Sequence, residues 1–263
     1  MAKNKVRHVL GLSGGKDSSA LAIFMRNKVP EMEYFFTDTG AELPETYEYL
    51  DKLEAYLGKP IARLNSTRTF DHLLKNKYND FLPSPNTRWC TRELKIRPFE
   101  EFVGDDEVVS YVGIRADEDR GGYVSTKPNI TVMFPFKESG INYADVIRIL
   151  NDAGLGTPAY YEWRSRSGCY FCFFQRKSEW IGLLERHPAL FEDAKKYEKV
   201  DSETGSKFTW SQGESLDELA DRADAIKDAA NKKLKSISVV SWQNQLATIA
   251  DEESSESCLI CDL

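Results

Sequence analysis

No apolar run in this chain approaches the roughly 20 residues needed to cross a bilayer, so nothing in it reads as a membrane span. The opening Met1-Ala2-Lys3-Asn4-Lys5 lacks the apolar stretch of a secretory leader, and a cytoplasmic location is the expectation. Internal repeats and long low-complexity segments are also absent. Positive charge is in short supply: 35 Lys and Arg against 42 Asp and Glu give a net charge of −7, which argues against a protein that grips nucleic acid over a broad basic face. Two local basic groups stand out against that background. Arg88, Arg92, Lys95 and Arg97 lie close together, and Arg164, Arg166, Arg176 and Lys177 bracket a cysteine pair with no acid between them. Composition alone divides such groups evenly between solvated surface and anion site; the neighbouring cysteines favour the site.

What is present is enough to fold. With 41% hydrophobic residues over 263 positions the chain can bury a sizeable core, and the composition shift along it suggests a nucleotide-binding α/β domain over 1–160 and a helical, cysteine-containing region over 161–263. Val6 to Leu12 reads as a strand, residues 17–28 as a helix, Glu33 to Thr37 as a second strand, 44–57 as a helix begun by Pro44, and Ile61 to Leu64 as a third strand. Such alternation implies a doubly wound, mostly parallel sheet. Further on, Phe70 to Lys77 and Leu94 to Val103 read as helices and Glu107 to Ile114 as a strand. Tyr143 to Ala153, residues 178–199 broken near Pro188, and Leu216 to Leu234 read as later helices.

The joint between the first strand and helix is Ser13-Gly14-Gly15-Lys16-Asp17-Ser18. A glycine turn at a helix N-terminus points backbone N–H groups and the positive end of the helix dipole at an arriving anion. Gly14 and Gly15 remove the Cβ atoms that would hold phosphate away, Lys16 can neutralise phosphate oxygens, and Ser13 and Ser18 can donate hydroxyl hydrogen bonds. Asp17 can orient the loop or help hold Mg²⁺. The segment is not G-x-x-x-x-G-K-[ST], so γ-phosphate transfer is not implied. Ligands of parallel sheets bind at the carboxyl ends of the strands, which puts Asp38-Thr39-Gly40 on the same rim.

Five cysteines fall as Cys90 alone, Cys169-Tyr170-Phe171-Cys172 and Cys258-Leu259-Ile260-Cys261. In a cytosolic protein C-x-x-C pairs are more often metal or redox sites than disulfides. The two pairs can hold zinc, while Cys90, Cys169, Cys172 and one tail cysteine, with Cys261 as the choice, can hold an iron–sulfur cluster of the 4Fe-4S type. Zinc stays open as the alternative, and a mobile sulfur-carrying role stays open for the tail pair.

In order along the chain, the loop at 13–18, Phe36-Thr37-Asp38-Thr39-Gly40 with Pro44-Glu45-Thr46, Gly113-Ile114-Arg115-Ala116-Asp117-Glu118, Ala144-Asp145-Val146 and Gly168-Cys169-Tyr170-Phe171-Cys172 resemble the phosphoadenosine-phosphosulfate reductase branch of the N-type ATP pyrophosphatases, the PP-loop family. That resemblance, over roughly residues 6–200, implies an adenine nucleotide α hydrolase-like fold. It also implies that the loop binds ATP with Mg²⁺ and that the α–β bond is cleaved to leave an adenylated acceptor. It makes Lys16, Asp17 and Arg115 the catalytic set, Asp38 an adenosine or Mg²⁺ contact and Arg115 a phosphate contact. Adenylylsulfate reductases of the cluster type carry adjacent cysteines where this chain has only Trp89-Cys90-Thr91, and their tail cysteine has a different setting. A single cysteine followed by C-x-x-C in a basic, aromatic surround is more similar to the ATP pyrophosphatase subunit of bacterial DNA phosphorothioation systems of the Dnd/Ssp type. That likeness implies sulfur insertion at a DNA phosphate in bacterial defence, a cysteine desulfurase as sulfur donor and further complex subunits that help hold DNA. The alternatives it leaves are sulfonucleotide reduction to sulfite and tRNA thiolation.

Overall fold

The computed structural model describes residues 6–119, 127–200 and 207–238. Among them, β1 (Arg7–Gly11), β2 (Glu33–Asp38), β3 (Ile61–Asn65), β4 (Val108–Tyr111) and β5 (Ile130–Met133) form one sheet in the order β3-β2-β1-β4-β5, parallel throughout. β1 is central, with Leu10 level with Tyr34 on one side and Tyr111 on the other. Side chains alternate across the pleat, so adjacent residues feed opposite layers. Leu10, Tyr34 and Phe36 pack with α1 (Lys16–Met25), α2 (Pro44–Leu57) and α7 (Tyr143–Asp152), whereas Val9 and Phe35 pack with Phe99 and Val103 of α5 (Arg97–Val103). Helices therefore cover both faces, and the doubly wound sheet expected from the alternation is the one observed.

α2 starts at Pro44 and ends on Gly58 in the left-handed conformation, and α7 is opened by a capping box between Asn142 and Asp145. α3 (Phe70–Asn76) leads to a helical stretch that begins earlier than its apolar pattern suggests: α4 (Trp89–Thr91) runs through a π turn at Arg92–Ile96 into α5. The strand expected over 107–114 stops at Tyr111, because the chain leaves the sheet to carry Arg115 to α1. Pro135 ends β5's apolar run and starts α6 (Pro135–Glu138), having no N–H for the sheet ladder. Beyond a 3₁₀ turn at Ala159–Glu162, α8 (Lys177–Arg186) and α9 (Pro188–Lys195) are separated at Pro188 as expected; a two-stranded ribbon, β6 (Lys199–Val200) with β7 (Lys207–Phe208), follows. The charged C-terminal helix is two, α10 (Leu216–Asp221) and α11 (Ala223–Ser238). Ala41, Leu43, Phe70 and Trp89 share one apolar cluster with Tyr160, Phe171, Trp180 and Trp210, so that core draws on both sides of residue 160. No described helix is long and apolar enough to cross a membrane.

Candidate active site

The bend between β1 and α1 lies at the carboxyl end of the central strand, next to the end of β2, as the topology requires. Gly14 takes φ +71°, a left-handed conformation, and a Cβ there would stand 2.5 Å from Thr46 Cγ2; only glycine lets the chain turn against α2 at this point. The hydroxyls of Ser13 and Ser18 are 3.2 Å apart, and the Gly15 N–H points at Ser13 Oγ at 3.4 Å. Ser19 donates its hydroxyl to the Gly15 carbonyl at 2.7 Å, tightening the first turn of α1.

The charges beside the loop are buried and mutually paired. Lys16 is 3% exposed, its Nζ 3.1 Å from Asp17 Oδ2 and 5.1 and 5.4 Å from the ring centres of Tyr161 and Tyr143. Arg115, fully buried, reaches Asp17 Oδ1 at 3.0 Å, Asp117 at 3.0 Å and the almost equally buried Glu118 at 2.8 Å. Burial alone would raise the Asp17 carboxyl; Lys16 and Arg115 outweigh it and hold Asp17 below its ordinary value. The three residues expected to be catalytic are thus one contiguous ion cluster.

A second wall comes from the segment after α7. Tyr160 donates its hydroxyl to the Gly14 carbonyl at 2.7 Å, the Lys16 N–H donates to Tyr161 Oη at 3.2 Å, and Ser167 donates to Ser13 Oγ at 3.1 Å. The amide that would meet a phosphate at the start of α1 therefore already has a tyrosine oxygen on it, and the loop is roofed. None of these contacts was visible in the sequence, since about 150 positions separate the partners; the one local signal is that Ser167 directly precedes Gly168-Cys169.

That adjacency ties the loop to the thiols. Arg164, buried, uses its guanidinium on the carbonyls of Gly168 (3.1 Å) and Cys169 (2.8 Å), and the Tyr170 N–H bonds to Ala41 O at 2.7 Å. Cys169 so lands beside the end of β2: its Sγ is 3.2 Å from Thr39 Oγ1 and 3.9 Å from Glu42 Oε1, while Thr39 donates to the same carboxylate oxygen at 2.7 Å. Burial pushes the Cys169 thiol well up, with Glu42 adding to the effect, and burial likewise raises Glu42. Thr39, expected among the nucleotide contacts, has its hydroxyl on the thiol side. Asp38 accepts from the Gly40 N–H at 2.9 Å and the Tyr47 hydroxyl at 2.8 Å, both on Oδ1.

Cys90, Cys169 and Cys172 line one cavity of about 40 Å³ together with Thr39, Lys95 and Phe171. The fourth expected ligand, Cys261, and its neighbour Cys258 lie outside the described residues. Among the described residues no group of three or more His, Cys, Asp or Glu side chains is gathered tightly enough to hold a metal. The donors suit an iron–sulfur cluster in kind, three thiols in one aromatic-walled space.

A strand-to-helix glycine bend at the rim of a doubly wound parallel sheet, walled by a cysteine segment, defines the class of site. Residues 7–130 match the family of the phosphoadenosine phosphosulfate reductase domain. An uncharacterised protein of Methanocaldococcus jannaschii is 26% identical over 219 residues, covering 78% of this chain and 43% of the relative. The tRNA-specific 2-thiouridylase of Ligilactobacillus salivarius is 26% identical over 190 residues, covering 59% of this chain and 50% of its own length. The chain thus spans about half the length of these relatives. Among solved structures, the phosphoadenylyl-sulfate reductase of Candida auris aligns over 63% of this chain and 82% of its own at 15% identity, with a TM-score of 0.47. The chain is thus similar in part to the phosphoadenosine phosphosulfate reductase domain and to a tRNA 2-thiouridylase.

Proposed function

We propose that the chain is an ATP pyrophosphatase and sulfurtransferase component that adenylates a phosphate oxygen for sulfur insertion, with DNA as the acceptor. The observation that carries this reading is the Ser167–Ser13 contact: the segment bearing Cys169 and Cys172 is itself a wall of the phosphate loop. Activation of an oxygen and delivery of sulfur to the acceptor phosphorus that carries it then need no long transfer.

In this reading the triphosphate enters by taking the Lys16 amide from Tyr161, and Lys16 exchanges part of its contact with Asp17 for phosphate oxygens. An acceptor oxygen attacks the α-phosphorus, and pyrophosphate leaves against the positive charge of Lys16, Arg115 and the helix N-terminus. Sulfide, or a persulfide from a cysteine desulfurase whose S–S bond a second thiol cleaves, then displaces AMP. Mg²⁺ would neutralise the triphosphate; Asp38, whose Oδ1 takes only neutral donors, is better able to hold it than the ion-paired Asp17. Cys90, Cys169 and Cys172, with Cys261 as the expected fourth ligand, would hold an iron–sulfur cluster, which supplies a landing point for sulfur; zinc is the alternative in the same thiols.

Purified protein given ATP and Mg²⁺ is expected to form AMP and pyrophosphate, and Lys16→Ala to lower the rate by about 100-fold or more, the usual scale for losing one charge-stabilising donor. Formation of ADP and orthophosphate overturns the mechanism. The domain match favours a second reading, reduction of a sulfonucleotide: sulfite release from phosphoadenylyl sulfate with a dithiol, and no cleavage of ATP, selects it. Similarity to a 2-thiouridylase keeps tRNA as a competing acceptor, decided by mass spectrometry of nucleosides and dinucleotides from cells with and without the gene.

A further inference from the structure

The mouth of the cysteine cavity holds a feature that sulfur chemistry leaves unexplained. Phe173 and Phe174 line the cavity beside Cys172. Arg88 and Arg166, about 80 positions apart and one from each basic group of the sequence, converge on the Phe174 ring with their guanidinium carbons 5.0 and 5.3 Å from its centre. Phe173 packs on the same ring, 4.5 Å between centroids. Arg88 is delivered by the turn before α4, where its Nε donates to the Pro85 carbonyl at 2.9 Å, and no described carboxylate pairs with it. Arg92, one turn later and exposed, likewise has no described acid partner.

Several exposed cations meet acids of their own chain, Arg63 with Asp51, Arg148 with Asp145, Arg186 with Glu162 and Lys177 with Glu214, whereas Arg88 sits on an aromatic ring instead. In a molecule of net charge −7, an arginine that lies against a ring of the cavity lining and has no described acid partner is able to take a foreign anion. A guanidinium lying over an aromatic ring still presents the edge of its N–H fork outward, the geometry that grips a phosphate. Phe173 and Phe174 beside the two arginines are side chains of the kind on which a base stacks.

We propose that Arg88, Phe174 and Arg166 form a docking site for single-stranded nucleic acid, seating a backbone phosphate and its neighbouring base at the entrance to the cysteine cavity. The proposal deepens the reading above and rests on its nucleic-acid acceptor. It gives the chain a small grip of its own, one or two phosphates wide, where the overall charge forbids a broad one. A single strand fits better than a duplex, whose close-spaced phosphates would bring more negative charge against the acidic surroundings.

Fluorescence anisotropy of a labelled 12-nucleotide DNA strand, at 50 to 200 mM salt and without ATP, tests it. Arg88→Glu is expected to weaken binding at least 10-fold and to reduce the log–log salt slope by about 0.7, one single-strand phosphate contact. Phe174→Leu is expected to weaken it 3- to 10-fold with the slope unchanged, because stacking is lost and no charge is. Arg148→Glu, on α7, should change affinity less than 2-fold, and melting curves of all variants should overlay the parent. Wild-type affinity equal to that of Arg88→Glu, or no measurable binding by the wild type, overturns the proposal. So does displacement of the strand by stoichiometric phosphoadenylyl sulfate, which would assign the arginines to a small substrate. Since ATP is left out, loss of AMP formation with Arg88-dependent binding intact would remove the adenylation chemistry and leave this site standing.

Discussion

The β1–α1 bend and the cysteine cavity share a wall, yet they are built on opposite principles. The bend is six consecutive residues whose charges are already paired inside the protein: Lys16 with Asp17, and Arg115 with Asp17, Asp117 and Glu118. The cavity gathers residues from near 39, 90–95, 168–174 and 210, is walled mainly by aromatic and apolar groups, and has at its mouth an arginine with no described acid. A ligand arriving at the bend must compete with partners in place, which favours a multiply charged one such as a triphosphate. A ligand arriving at the cavity meets mostly aromatic and apolar walls, with Thr39 and Glu42 on the Cys169 thiol, and gains chiefly from burial.

The largest expected effect tests that contrast directly. Arg115→Met removes the cation that three carboxylates share, two of them scarcely exposed, and should cost about 3–5 kcal/mol in urea denaturation, the range for breaking a buried ion pair from one side. Arg88→Ala should cost about 1 kcal/mol or less, for one bond to the Pro85 carbonyl and a contact with the Phe174 ring. Equal losses at the two arginines would erase the distinction between a paired bend and an unpaired mouth. Next in size is Gly14→Ala, where the new methyl overlaps Thr46 and φ is +71°; about 2–3 kcal/mol is expected from strain and overpacking together. Gly40, with φ +72° but open space around it, should lose only about 1 kcal/mol on the same change, strain without the clash.

The same contrast explains what could be read from the chain alone. The bend was legible because strand, glycines, lysine and helix are contiguous, and the alternation of strands with helices up to β3 implied a parallel sheet with the bend on its rim. The cavity was legible only in part. Three cysteines in suggestive company could be named, but their meeting place depends on Arg164 holding the Gly168 and Cys169 carbonyls and on Thr39 and Glu42 receiving the thiol, contacts that no spacing encodes. Helix boundaries failed for similar reasons. The helix expected from Leu94 begins at Trp89 because the π turn at Arg92–Ile96 admits an extra residue per turn, keeping Cys90 on a helical segment. The strand expected to reach Ile114 stops at Tyr111 because Arg115 is drawn to Asp17 on another element. Tyr160 and Tyr161 carried no sign that their hydroxyls close over the loop.

The smallest expected effect falls where the two regions join. Ser167→Ala deletes one hydroxyl bond to Ser13 and leaves Ser13 with Ser18 and the Gly15 amide as partners, so about 1 kcal/mol of stability is the expected loss. Its more telling consequence is on coupling. If the hydroxyl links the loop to the cysteine segment, ATP with Mg²⁺ should change the alkylation rate of Cys169 and Cys172 in the parent several-fold. In Ser167→Ala that response should shrink while nucleotide affinity falls only a few-fold. If the two regions are coupled in this way, alkylation of the thiols should also alter nucleotide affinity in the parent, and less so in Ser167→Ala. An unchanged alkylation response in Ser167→Ala would mean that the wall is shared in space alone, and that bend and cavity report to each other through Tyr160 and Tyr161 or not at all.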